Sequence, residues 1–119
     1  MKLIHVVEFL GNPVLLAGEL GARLELKIKE SLNGSRVVEV DFSGYKFIST
    51  AFFNRAFGQL CLDMDWSADK FKKSLKVTGL EEDDFDDVEL ALENAQLRRK
   101  LKSSGVKDMK EYFESRLPA

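Results

Sequence analysis

The sequence predicts an α/β fold, with a sheet of about four mostly parallel strands and helices packed mainly on one face. Three observations predict it. Apolar, β-branched runs (Leu3–Phe9, Val37–Phe42, Leu75–Val77) alternate with stretches of helical period. Those runs lie too far apart for hairpins, which implies parallel neighbours joined by right-handed crossovers. Between Val37 and Gln59, strand, loop and helix follow one another with Ser49 and Thr50 at the joint. Such joints are where α/β folds place recognition chemistry.

At 119 residues the chain reads as one domain, 1–119, large enough for a core without disulfide or metal. The single cysteine, Cys61, excludes an intrachain disulfide framework and suits a reducing compartment. Met1 and Lys2 lead into a short apolar stretch broken by His5 and Glu8, unlike a secretory segment. No stretch approaches the roughly 20 apolar residues of a membrane span. The expectation is a soluble cytoplasmic protein with neither membrane nor nucleic acid as partner. A net charge of −2 lacks the basic surplus of a DNA binder.

The elements follow in order. Lys2 to Leu10 reads as a strand, closed by the turn Gly11-Asn12-Pro13, and Val14 to Leu16 as a short strand or the approach to a helix. Leu20, Leu24, Ile28 and Leu32 recur every four residues and predict a helix from Ala17 to Leu32, although Leu26 falls off that stripe. Asn33-Gly34 fits a left-handed C-terminal cap. Arg36 to Phe42 is the central strand. Ser49 or Thr50 caps the next helix, whose inward residues are Phe52, Phe53, Ala56, Phe57 and Leu60, with Met64 near its end. Asp63 to Lys73 reads as a polar connection with one helical turn after Ser67, and Ser74 to Thr78 as a strand. From Asp83 to Lys102 a helix carries acids first and Arg98, Arg99, Lys100 and Lys102 last. The helix dipole favours that order by about 0.3–1 kcal/mol per well-placed charge. Its inward residues are Phe85, Val88, Leu92 and Ala95. After the break at Ser103 to Gly105, residues 106–117 read as a short amphipathic C-terminal helix.

Catalytic residues are scarce. His5 sits alone in a strand pattern, without a second ligand nearby in sequence to suggest a metal. Cys61 lies between Leu60 and Leu62, where a small buried apolar residue is expected. Ser67 and Lys70 have the Ser-x-x-Lys spacing of some acyl-transfer enzymes but none of the accompanying motifs, so Ser67 reads as a helix cap. The acidic run from Glu81 to Asp87 lacks the alternation and central glycine of a calcium loop. No glycine-rich phosphate loop is present. The reading is therefore non-enzymatic, with no cofactor and no metal. Ser49 and Thr50 stand apart, because capping uses one hydroxyl and leaves the other at a helix mouth. A phosphate there would meet free N–H groups and the positive end of the dipole.

The segment from Val37 to Gly58 resembles the STAS-like domain family, compact relatives of the anti-sigma-factor antagonists. The resemblance rests on the valine-rich strand ending Asp41-Phe42, the turn Ser43-Gly44, the joint Phe47-Ile48-Ser49-Thr50, the helix opening Ala51-Phe52-Phe53, and Phe57-Gly58. The helix before it and Leu75 to Leu80 also sit where the family has them. Antagonist relatives carry an Asp-Ser-Ser-Gly joint whose first serine is phosphorylated by a partner kinase. On this chain that serine falls at Thr50, with Ser49 where the aspartate stands and neither the acid nor the glycine kept. Asn54-Arg55 occupies the place of an acidic pair in many members, and the changed charge at Arg55 implies a different partner from the usual one.

The resemblance implies a single STAS-like domain that binds another protein and regulates it, with Ser49, Thr50, Asn54 and Arg55 as contact and Thr50 as candidate phosphoacceptor. Regulatory members work with histidine-kinase-like ATPases, which bind the nucleotide themselves, so no cofactor is implied here. Two alternatives stand beside it: a small ligand or nucleotide in a crevice lined by His5, Ser49 and Thr50, and assembly of copies into a homodimer or larger oligomer through the C-terminal helix.

Overall fold

The computed structural model describes residues 2–103. The short helix expected over 106–117 lies outside them. β1 (Lys2–His5), β3 (Val38–Asp41) and β5 (Leu75–Thr78) form a parallel sheet in the order β1-β3-β5. Lys2 stands opposite Val38, and Val38 opposite Leu75. A separate parallel pair joins β2 (Val14–Leu15) to β4 (Phe47–Ile48). Among the described residues the expected sheet of about four strands is thus five strands in two sheets, all parallel.

Each crossover steps to the next strand on the same side, so right-handed connections stack the helices on one face. The strand pattern obeys this. Ile4, Val38, Val40 and Leu75 are buried and Val77 partly so, while Leu3, His5 and Lys76 on the opposite face are exposed.

α2 (Gly18–Leu32) confirms the helical reading over the alternating one: Leu24 and Ile28 are buried and Leu26 is exposed. α3 (Thr50–Phe53), a π turn (Asn54–Gly58) and α4 (Gln59–Met64) run as one continuous rod. Six of its apolar residues, Phe52, Phe53, Ala56, Phe57, Leu60 and Cys61, are fully buried. α6 (Glu82–Ser103) buries Val88, Ala91, Leu92 and Ala95 against them.

Several expectations are corrected. The first strand stops at His5, and Val6–Leu10 forms a short helix, α1, because Val6 and Leu10 then turn into the core together and Gly11 (φ 68°) closes the turn. The strand expected over Arg36 to Phe42 is shorter at both ends. α2 ends without a left-handed residue at Gly34. Instead the N–H groups of Asn33 and Gly34 bond three residues back to Glu30 and Ser31, a tightened last turn. The stretch read as a polar connection holds a full helix, α5 (Ala68–Ser74), which buries Phe71 and is capped by Ser67 accepting from Lys70 N–H at 3.1 Å. Met64 and Phe85, expected inward, are exposed.

Phe57 is fully buried between Phe42, Phe53 and Phe71. Phe57→Ala should therefore lower unfolding free energy by about 3–5 kcal/mol in urea titration, close to the whole stability of a small domain.

Candidate functional site

The mouth of α3 is built by the loop that leaves β3. Ser49 is the cap: its Oγ accepts from Phe52 N–H at 3.2 Å and donates to Leu16 C=O at 3.0 Å. Its backbone N–H also reaches Leu15 C=O at 3.1 Å. One residue thus fastens the helix start to the β2 strand. Thr50, the first helical residue, is exposed, and its hydroxyl has no hydrogen-bond partner among the described residues. The division expected from the sequence holds, with one hydroxyl used for capping and the other left at the surface.

Around this mouth the β2–β4 pair turns Leu15 and Ile48 inward and the alternate residues outward. Val14 and Phe47 are register partners, 37% and 57% exposed. Leu16, two residues from Val14, is 51% exposed beside the Ser49 bond. Sequence reading missed this apolar rim. The signal was present in Phe47-Ile48, since two adjacent strand residues cannot both face the core.

Asn54 and Arg55 lie one turn further along, in the π turn, and are half-buried. Arg55 donates to Glu25 Oε1 at 2.5 Å. Glu25, on α2, is only 2% exposed. Lys29 Nζ lies 3.2 Å from Glu25 Oε2 but turns its hydrogen bond to Asp63 at 2.7 Å, so Oε2 has a charge neighbour and no hydrogen bond. Gln59 donates to the other Asp63 oxygen at 2.8 Å. The close approach of α2 to the rod needs Gly21, where a Cβ would stand 2.8 Å from Phe52 O and 3.0 Å from Arg55 Cβ. Of this clamp only the Glu25–Lys29 pair, four residues apart on α2, left a sequence signal; Arg55 and Asp63 join it from some thirty residues away.

His5 shares no hydrogen bond with Ser49 or Thr50 among the described residues. It lies at the end of β1, on the uncovered face of the sheet, with Nδ1 3.3 Å from Asp41 Oδ2. Asp41 Oδ1 accepts from the N–H (2.9 Å) and Oγ (2.6 Å) of Ser43, and these bonds hold its carboxyl below the usual range. The sites of His5 and of Ser49 and Thr50 thus have separate hydrogen-bond partners. Burial pushes the Cys61 thiol up to about 11, away from thiolate chemistry. Among the described residues no group of three or more His, Cys, Asp or Glu side chains is placed to hold a metal. No described helix is long and apolar enough to cross a membrane.

The Asp63 carboxyl is pulled down to about 2, first by its hydrogen bond from Lys29 and then by Gln59. Its contribution to stability is complete above about pH 4 and is lost as pH falls toward 2. Urea titrations should find Asp63→Asn less stable than the native protein at pH 6, with the gap closing at pH 2.5.

Residues 21–89 match the family model described as a STAS-like domain of unknown function (DUF4325). No curated protein and no solved structure matches the chain.

Proposed function

Since the chain belongs to the STAS-like domain family of unknown function, we propose that it is a non-enzymatic regulatory module that docks another cytoplasmic protein through the mouth of α3. The observation that carries this reading is the rim of Val14, Leu16 and Phe47 beside the exposed Thr50. Grouped apolar side chains on a surface mark contact sites, whereas single ones do not. The backbone beneath is fixed by the Ser49 bonds, so the surface is presented in one shape and docking costs little ordering. Arg55 adds a cation already oriented by Glu25, and Asn54 lies beside it.

Thr50 is the proposed control point. Phosphorylation would add a charge of about −1.5 to −2 at the edge of an apolar contact. The first N–H groups of the helix can receive that anion, so the fold tolerates it. A partner packed over the rim would bury a charge without its own counter-ion, which costs several kcal/mol. The regulating kinase is a separate protein in this scheme.

The test is affinity capture with the full chain, followed by binding measurements on the captured protein. Thr50→Glu and Phe47→Asp should each weaken binding about a hundredfold, near 2.7 kcal/mol, with unchanged melting temperature. Thr50→Val should keep binding and lose any added phosphate mass. Native-like binding by both Thr50→Glu and Phe47→Asp would place the contact elsewhere on the domain.

A further inference from the structure

An open groove of about 510 Å3 lies where the chain enters β3 and β5, between the end of α2 and α5. Leu32, Met64 and Trp66 give it apolar lining, and Arg36 and Lys70 give it charge. Lys2 adds a third cation, because a Cβ on Gly34, in the same lining, would stand 3.0 Å from its Nζ. No acidic side chain lines the groove among the described residues. None of the three cations has an ion-pair partner among them either. Met64 stands 39% exposed. Cations gathered around apolar lining fit an occupant that carries large apolar side chains between carboxylates.

The chain itself holds such a stretch, and it starts close by. Near the end of α6, Gln96 donates to Trp66 C=O at 3.1 Å and Arg99 to Asp65 Oδ1 at 3.0 Å. Those acceptors sit on the turn that presents Met64 and Trp66 to the groove. Ser103 is about one helical turn past Arg99. From there residues 104–111 span up to about 26–29 Å when extended, and they lead to Glu111-Tyr112-Phe113-Glu114, two aromatic side chains between two acids. We propose that the segment 104–117 folds back on its own domain, seating Tyr112 and Phe113 in this groove with Glu111 and Glu114 against Arg36, Lys70 and Lys2. A tethered segment meets the groove at an effective concentration in the millimolar range, so a contact too weak to hold a free peptide suffices. The mouth of α3, built by the loop that leaves β3 at its other end, stays open to the partner.

The experiment is cysteine cross-linking in the full chain. Met64→Cys is combined with Ser115→Cys, the protein is oxidised in dilute solution, and the products are read by mass spectrometry. The native Cys61 is buried and stays out of the reaction. An intrachain bond between positions 64 and 115 is expected, forming more slowly as salt rises. Adding Phe113→Ser should slow it about tenfold. Adding Arg36→Glu with Lys70→Glu, both at exposed positions, should slow it about as much, with an unchanged circular dichroism spectrum. Absence of the intrachain bond overturns the proposal. Bonds formed mainly between chains overturn it too, because the segment would then reach a second copy. A rate indifferent to both Phe113→Ser and the charge reversal overturns it equally, since the segment would then pass position 64 only by chance.

Discussion

Phe42 joins the sheet to the helices. Its N–H is bonded to Thr78 at the end of β5, while its ring meets Phe52, Phe53 and Phe57 edge-on at centroid distances of 6.2, 6.0 and 6.1 Å. Phe57 passes the contact on to Phe71 of α5 at 5.1 Å. Edge-to-face rings resist sliding better than aliphatic contacts of the same area, because the quadrupoles favour particular orientations. The chain leaving Phe42 must return within seven residues to start the helix that packs on this ring. The loop is therefore held at both ends, and the position of Ser49 and Thr50 follows from where Phe42 sits. The surface at the mouth of α3 inherits its geometry from the core beneath it.

Much of this was legible in the sequence. The order of the main strands and helices, the parallel pairing and the burial of Phe42, Phe52, Phe53 and Phe57 follow from apolar period and strand spacing alone, whereas Phe71 sat in a stretch read as a polar connection. The division of labour between Ser49 and Thr50 was legible too, because capping chemistry satisfies one hydroxyl. What was illegible has physical reasons. Val6 and Leu10 lie in a run so apolar that it reads as a strand, and only the burial of both on one side of a helical turn decides otherwise. Glu25 would be placed in solvent by any hydropathy rule. Its burial depends on Arg55 and Lys29 arriving from different turns of two helices. Phe85 fits the inward stripe of α6 by spacing, but it stands in the first turn of that helix, on the open groove between α5 and α6, and stays 41% exposed.

The π turn resolves a mismatch of period. Apolar residues recur every four positions in both α2 and the α3–α4 rod, whereas an α-helix turns once in about 3.6 residues. The stripe should then drift by about 40° per step. In α2 it does: Leu24 and Ile28 are buried, while Leu20 and Leu32 at the ends are only partly covered. In the rod, the wider turn over Asn54–Gly58 takes up the drift, and Phe52, Phe53, Ala56, Phe57, Leu60 and Cys61 all stay buried. The same wider turn sets the direction in which Arg55 leaves the helix to reach Glu25.

The all-parallel pairing also governs how the molecule is reached from the unfolded chain. Each ladder joins residues roughly 35 positions apart, Lys2 with Val38 and Val38 with Leu75, and no hairpin among the described residues offers a shorter start. Loop-closure entropy must be spent on both connections before either ladder returns any stabilisation. Helices can form within microseconds, but the sheet has to wait for α2 and the phenylalanine rod to hold distant strands together. The rate-limiting ensemble is thus expected to contain helix packing around Phe42 before full strand pairing. β5, which waits on the last crossover to pair with β3, would be the strand most often found open on the way to the folded state.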